Sequence, residues 1–490
     1  MLINIGSFPD KNKGASRFDF TIDYNMNSKI SSLPVNTAGG PVKGIRGAML
    51  TFRHDPLVSN GSDCYDYYPD GLAVIQDGRI LAIGAYKDVV AAYPSLDDID
   101  RYEDSLIMPG FIDCHIHYVQ SPMIGSYGDT LINWLNRYTF PTEAKFRDKD
   151  FADEVARMFF RQTLSNGTTT ANVFSTTFEE SVNALFEESE RYNARTITGK
   201  VLQDRNLPDS LKDPSTEGSI LLTEKLLAKW HRRGRQLYAI IPRFAPTSTP
   251  LQLKLAGELY RRHLDEGVYL HSHLDEAAPE IEWALSLFPE AVNYTDIYDR
   301  FGLIDHHTVM AHCCIVKPEE WKRLSEAGCG VAHCPSSNLF LGDGEFRFRE
   351  ATDSAHRCNV GIGTDVGGGT SFSILRQLGE AYKVAMLDDN PLPVLRSFYI
   401  ATRGGAEVLR LADTIGSLSP GYEADMAVID FKATEFLEWR LQFARSLTDK
   451  LFVLQTLAPD NVIRATYVAG KKVFDRRRDH SLLYSSELPK

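Results

Sequence analysis

The sequence predicts an α/β protein: a (β/α)8 TIM-like barrel with a small flanking β-sandwich domain built from both chain ends. Three observations carry that expectation. Strand-like apolar runs alternate with helix-like stretches eight times between Phe111 and Gly368. Such alternation indicates a parallel sheet, and the span is close to the roughly 250 residues of a closed eightfold barrel. Turn-punctuated β texture precedes this region and returns after it. An open doubly wound sheet is the rival that rhythm alone leaves standing.

The elements follow in order. Residues 1–43 are polar, rich in Asn, Ser and Gly, and read as an N-terminal arm. Residues 44–105 form the first part of the β domain: GIRGAMLTF and DGLAVIQDGRILAIGAY are β-rich, and Asp77-Gly78 is a hairpin turn. The barrel occupies 106–412, with strand-like runs at 111–117, 168–174, 195–204, 237–246, 267–276, 308–314, 330–338 and 359–369. Residues 413–490 supply the second part of the β domain, through GSLSPGYEADMAVID and NVIRATYVAGKKVFD, and a tail.

Composition narrows the class. The 490 residues are 43% hydrophobic and 24% charged, which excludes a mainly disordered chain, a collagen-like fibre or a disulfide-stapled miniprotein. Fifty-three basic against sixty-five acidic side chains leave −12, a field that repels nucleic acid and anionic membranes. The basic runs His231–Arg235 and Arg476–Arg478 are short and read as solvated surface. Seven cysteines, odd in number and without a C-x-x-C pair, indicate reduced thiols in a cytoplasmic protein. The N-terminus lacks the layout of a secretory signal, and no run approaches the ~18 apolar residues of a membrane span. No nucleic-acid or membrane partner is expected.

Chemistry concentrates where strand-like runs end. His115 and His117 close the first run; side chains alternate along a strand, so both imidazoles point the same way. His273 and Glu276 close the fifth run, His312 the sixth, and Asp365 the eighth. Strand C-termini form the active-site face of a β/α barrel, so these residues are expected to converge. His115, His117, His273 and Asp365 suit a first-row dication, with zinc the default for an N/O site and iron or manganese sharing the same donors. A water bound there would have its pKa lowered toward ~7. Glu276, three residues past a ligand, stands where a general acid/base is needed. His333 either supports the site from behind or, the favoured reading, is a core histidine with its polar atoms satisfied. His271 either points away from the mouth or supports the metal from behind. The glycine-rich GTDVGGG fits neither phosphate-loop pattern.

This arrangement resembles the amidohydrolase superfamily. The segments PGFIDCHIHYVQ, Leu131…Trp134-Leu135, YTFPTEAKF, GKVLQDRN, PRFAPTST, TVMAHC, AHCPSSNLFL and GTDVGGG resemble, more narrowly, its guanine deaminase family. The run ending Ile241-Pro242-Arg243-Phe244 carries no lysine of the kind that bridges two metals in binuclear members, and Lys200 reads as structural; one metal per subunit is expected. The resemblance implies that Gln120 and Arg243 hydrogen-bond the purine's polar edge and that Phe244 lies by the ring. It also implies that His117, His273, Glu276 and Asp365 border the same base. Glu276 and Asp365 would then move protons, and His312 would hydrogen-bond the attacking oxygen. Two residues depart from the family pattern: Asp275 beside Glu276, which could shift its pKa, and Cys313 after His312, which could crowd that turn.

The expected reaction is hydrolytic deamination of guanine to xanthine and ammonia, by a homodimer as barrels of this superfamily commonly form. The H-x-E…P-C-x-x-C signature of deaminases that act on flipped bases is absent. The rival readings are an aminohydrolase or chlorohydrolase of another heterocycle (another aminopurine, a pterin or a triazine) and an inactive scaffold that keeps the barrel.

Overall fold

Eight parallel strands make the barrel in the computed structural model: β1 Phe111–His117, β2 Thr168–Phe174, β3 Arg195–Gly199, β4 Leu237–Pro242, β5 Tyr269–Leu274, β6 Thr308–His312, β7 Gly330–His333 and β8 Asn359–Ile362. The structure describes residues 31–479 apart from 37, 59, 60 and 129. Each strand pairs in parallel register with the next, from β1·β2 to β7·β8. The seam between β8 and β1 is tied just past β8, where the Asp365 N–H donates to the carbonyl of His115 in β1 at 2.9 Å. β1, β2, β5 and β6 are buried at every position, as helix-covered parallel sheets require.

The runs at 111–117 and 168–174 coincide with β1 and β2. The others overrun: β5 stops at Leu274, β6 at His312 and β8 at Ile362. The physical reason is backbone reversal. Asp275, His312, Cys313 and Asp365 have φ of 50°, 70°, 53° and 47°, left-handed values that end a ladder. Asp365 therefore lies in the turn beyond β8 rather than on the strand.

The outer helices follow apolar spacing. In Lys149–Ser165 the buried residues Ala152, Val155, Ala156, Phe159, Phe160, Thr163 and Leu164 fall on one face, and the Asp148 side chain caps the start by accepting from the Asp150 and Phe151 N–H groups.

Both chain ends build the flanking unit, a hydrogen-bonded path of eight strands. Ile99–Pro109, before the barrel, pairs antiparallel with Met426–Asp430, after it. Asp77 and Gly78 connect Tyr65–Gln76 to Arg79–Ala85 with φ of 50° and 78°, the signature of a two-residue primed turn. The path folds over, so that Ile75 and Ile83 share an apolar core with Met426, Val428 and Tyr467. Most of the expected arm, residues 1–30, lies outside the described residues; Ser31–Ser32 pairs with Ile83 and Ala82. All seven cysteines are buried and in no disulfide. Among the described residues no helix is long and apolar enough to cross a membrane.

Candidate active site

β1 delivers His115 and His117, and the turns after β5 and β8 bring Glu276 and Asp365 to the same end of the barrel. Asp365 Oδ1 lies 3.1 Å from His115 Nε2 and 3.4 Å from His117 Nε2. His117 Nε2 is 3.3 Å from His273 Nε2. Tetrahedral N/O donors about 2.0–2.1 Å from one ion stand about 3.3–3.4 Å apart. Second contacts aim the rings: His273 Nδ1 donates to the Arg243 carbonyl at 2.7 Å, and His115 Nδ1 sits 2.9 Å from His271 Nε2. That leaves His115 Nε2 buried with no hydrogen-bond partner. Burial, reinforced by neighbouring imidazoles, holds all four histidines (115, 117, 271 and 273) well below the usual imidazole range. Neutral rings with converging lone pairs and a carboxylate are the donors a divalent cation needs, so the residues present fit one.

His312 stands beside this set. Its ring stacks on His273 at 5.3 Å, its Nδ1 faces Asn338 Oδ1 at 2.8 Å, and its Nε2 is 3.8 Å from Asp365 Oδ2. Glu276 Oε1 is 3.5 Å from His312 Nδ1. Burial pushes the Glu276 carboxyl well above its usual range, and the charges of Glu280 and Asp365 push the same way while Arg243 opposes. Glu280 also fixes the backbone under Glu276: it accepts the Glu276 and Ala277 N–H groups at 3.1 and 3.4 Å and the Tyr294 hydroxyl at 2.7 Å.

The two departures from the family pattern now have locations. Asp275 is buried, raised well above the carboxylate range by that burial and by Glu320 and Glu280, and hydrogen-bonded to Glu320; the carboxylates acting most on Glu276 are Glu280 and Asp365. Cys313 holds the left-handed backbone that glycine adopts without strain, and its side chain packs into the apolar core.

Gln120, Arg243 and Phe244 border a small cleft together with His117, His273, Glu276 and Asp365; Leu131, Trp134, Leu135 and Leu341 form its apolar walls. Phe244 meets Trp283 edge-on at 6.0 Å. Gly367, with φ of 123°, lets the chain pass where a Cβ would come within 2.0 Å of Gln120 Oε1. Sequence reasoning missed Glu143, which is fully buried and pairs with Arg243 Nη1 at 2.6 Å, and it assigned no role to Asn338 or Glu280. Glu143 and Asn338 lie within the motifs PTEAKF and PSSNLFL; their partners lie elsewhere in the chain. His271 takes the supporting position behind His115. His333 is buried and stacked on Phe346 at 4.4 Å, with neither ring nitrogen hydrogen-bonded. Lys200 is bound to Asp213 at 2.5 Å and to Ser219 at 3.0 Å, away from the cleft.

A barrel with two histidines closing its first strand, further histidines at the ends of the fifth and sixth and an aspartate after the eighth defines a hydrolase class. The amidohydrolase family profile matches residues 106–473, and the chain belongs to that family. Within it the chain is similar to guanine deaminases. The enzyme of Escherichia coli (strain K12) is 44% identical over 410 residues, covering 84% of this chain and 92% of that protein. The solved E. coli guanine deaminase superposes with a TM-score of 0.85 at 42% identity, covering 89% of this chain and all (100%) of that one. The guanine deaminase of C. acetobutylicum, solved with guanine bound in its active site, gives 0.78 at 27% identity, covering 89% and 100%.

Proposed function

We propose that the chain hydrolyses guanine to xanthine and ammonia. The observation that carries this reading is the convergence of His115, His117, His273 and Asp365, with contacts of 3.1–3.4 Å, beside a cleft whose polar lining includes Gln120 and Arg243. Similarity to guanine deaminases over most of the chain supports the same substrate.

His115, His117, His273 and Asp365 would hold the cation, which we propose to be zinc, one per subunit. When bound, such an ion supplies the Lewis acidity that brings the pKa of water toward about 7. Gln120 and Arg243 hold the polar edge of the base and Phe244 lies along its plane, so orientation is settled before reaction. Asp365 Oδ2 accepts a proton from the attacking water, and His312 Nε2 hydrogen-bonds the incoming oxygen. Glu276 gives its proton to the ring nitrogen next to the carbon under attack. Asp365 then passes its proton to the departing amine, which leaves as ammonia, while the added hydroxyl gives its proton to Glu276 as the C=O forms, restoring both carboxyl groups.

We further propose a cytoplasmic homodimer. The seven unbridged, buried cysteines are compatible with a reducing compartment, and sedimentation of the purified protein tests the dimer. The central test is ammonia release across guanine, other aminopurines, pterins and triazines, with metal content measured on the same sample. Guanine is expected to be the preferred substrate with one metal per chain. Preference for a triazine, or metal-free inactive protein, would reject the reading.

A further inference from the structure

Glu143 ends the helical turn Phe140–Glu143 and exposes none of its surface. Its carboxylate serves two residues of the cleft at once, accepting from Arg243 Nη1 at 2.6 Å and from Gln120 Nε2 at 3.2 Å. A carboxylate only accepts, so the Gln120 amide must turn its nitrogen toward it. The carbonyl Oε1 is thereby sent toward Gly367, the neighbour of Gly368 in the cleft wall. Among the described residues Oε1 accepts no hydrogen bond, and the remaining N–H groups of Arg243 donate none.

We infer that Glu143 is a specificity-determining positioning residue: it fixes an acceptor on Gln120 beside a donor on Arg243, the complement of a lactam edge in which N–H adjoins C=O. This inference rests on the proposed guanine reaction and deepens it. A 6-oxopurine carries that edge. 2,6-Diaminopurine has the same ring and the same reacting amine, but its six-position amine donates and its N1 accepts. That reversed pattern would set donor against donor and acceptor against acceptor in a buried site, where mismatched polar groups are rejected strongly. A glutamine at 143 can present either oxygen or nitrogen, so the amide of Gln120 loses its imposed direction.

The test compares kcat/KM for guanine and for 2,6-diaminopurine in the wild type and in Glu143→Gln, with the inhibition constant against guanine used where diaminopurine turnover is too slow. The guanine preference is expected to shrink by roughly 10–100-fold, the value of a charge-assisted hydrogen bond. A merely structural role would lower both substrates alike; an unchanged ratio overturns the inference. Should Glu143→Gln fail to fold, Gln120→Leu, which removes the acceptor, must narrow the same ratio, and an unchanged ratio there also overturns it. Wild-type protein that releases no ammonia from guanine rejects the guanine reading itself. A guanine-active wild type with an invariant ratio rejects only the role of Glu143.

Discussion

His115 Nδ1 lies 2.9 Å from His271 Nε2, so one imidazole at the barrel mouth is held by another beneath it. For His115 Nε2 to keep its lone pair, Nδ1 must carry the proton and donate it to His271. Replacing His271 by leucine removes that acceptor. Metal affinity is expected to fall by roughly 10–100-fold, as measured by competition with a chelator. Unchanged affinity would make His271 a packing residue only.

Glu276 is the carboxyl assigned to protonate the base. Glu276→Gln is expected to lower kcat for guanine by about 10²–10⁴-fold while metal content stays at the wild-type level. Loss of metal together with activity would instead place Glu276 among the residues that hold the ion.

The buried Arg243–Glu143 pair gives stability and recognition different fates. Arg243→Met alone leaves an uncompensated carboxylate and is expected to cost about 3–5 kcal/mol of folding stability. Adding Glu143→Leu should restore most of that loss in denaturant titrations, yet guanine turnover should remain poor, because the donor to the base is gone. Recovery of both would contradict the assigned role of Arg243.

Asp343 sits beside the catalytic end, and burial, with repulsion from Glu276, raises its carboxyl from 3.8 to about 9. Folding thus favours the neutral acid: its contribution to stability is full below the unfolded pKa and is lost as pH rises toward the folded value. Asp343→Asn keeps the shape and removes the titration. Thermal unfolding measured between about pH 5 and about pH 9 should show the wild type losing more stability than the variant. Parallel curves would place the carboxyl's titration elsewhere.

Much of the barrel was legible because buried parallel strands read as continuous apolar runs. β1 and β2 could be bounded to the residue, since Gly110 and Gly167 punctuate their starts. The fifth, sixth and eighth runs overshot because the left-handed turns at Asp275, His312 and Asp365 leave no periodic trace. The ligand-type residues could be picked out by their place at strand ends. Glu143 could not: its meaning comes from Arg243, one hundred positions away, and a glutamate in a short helical turn looks like surface until the barrel closes over it. His271 shares the inward phase of His273, but only the packed barrel shows that it meets His115.

The antiparallel pairing of Ile99–Pro109 with Met426–Asp430 also constrains the order of biosynthesis. A ribosome releases the first of these strands, then the entire catalytic barrel, before the segment that seals that edge emerges. Throughout translation the nascent chain carries an open strand margin prone to mispairing, so a polypeptide truncated just ahead of Met426 would retain every barrel strand and still be left with an adhesive border.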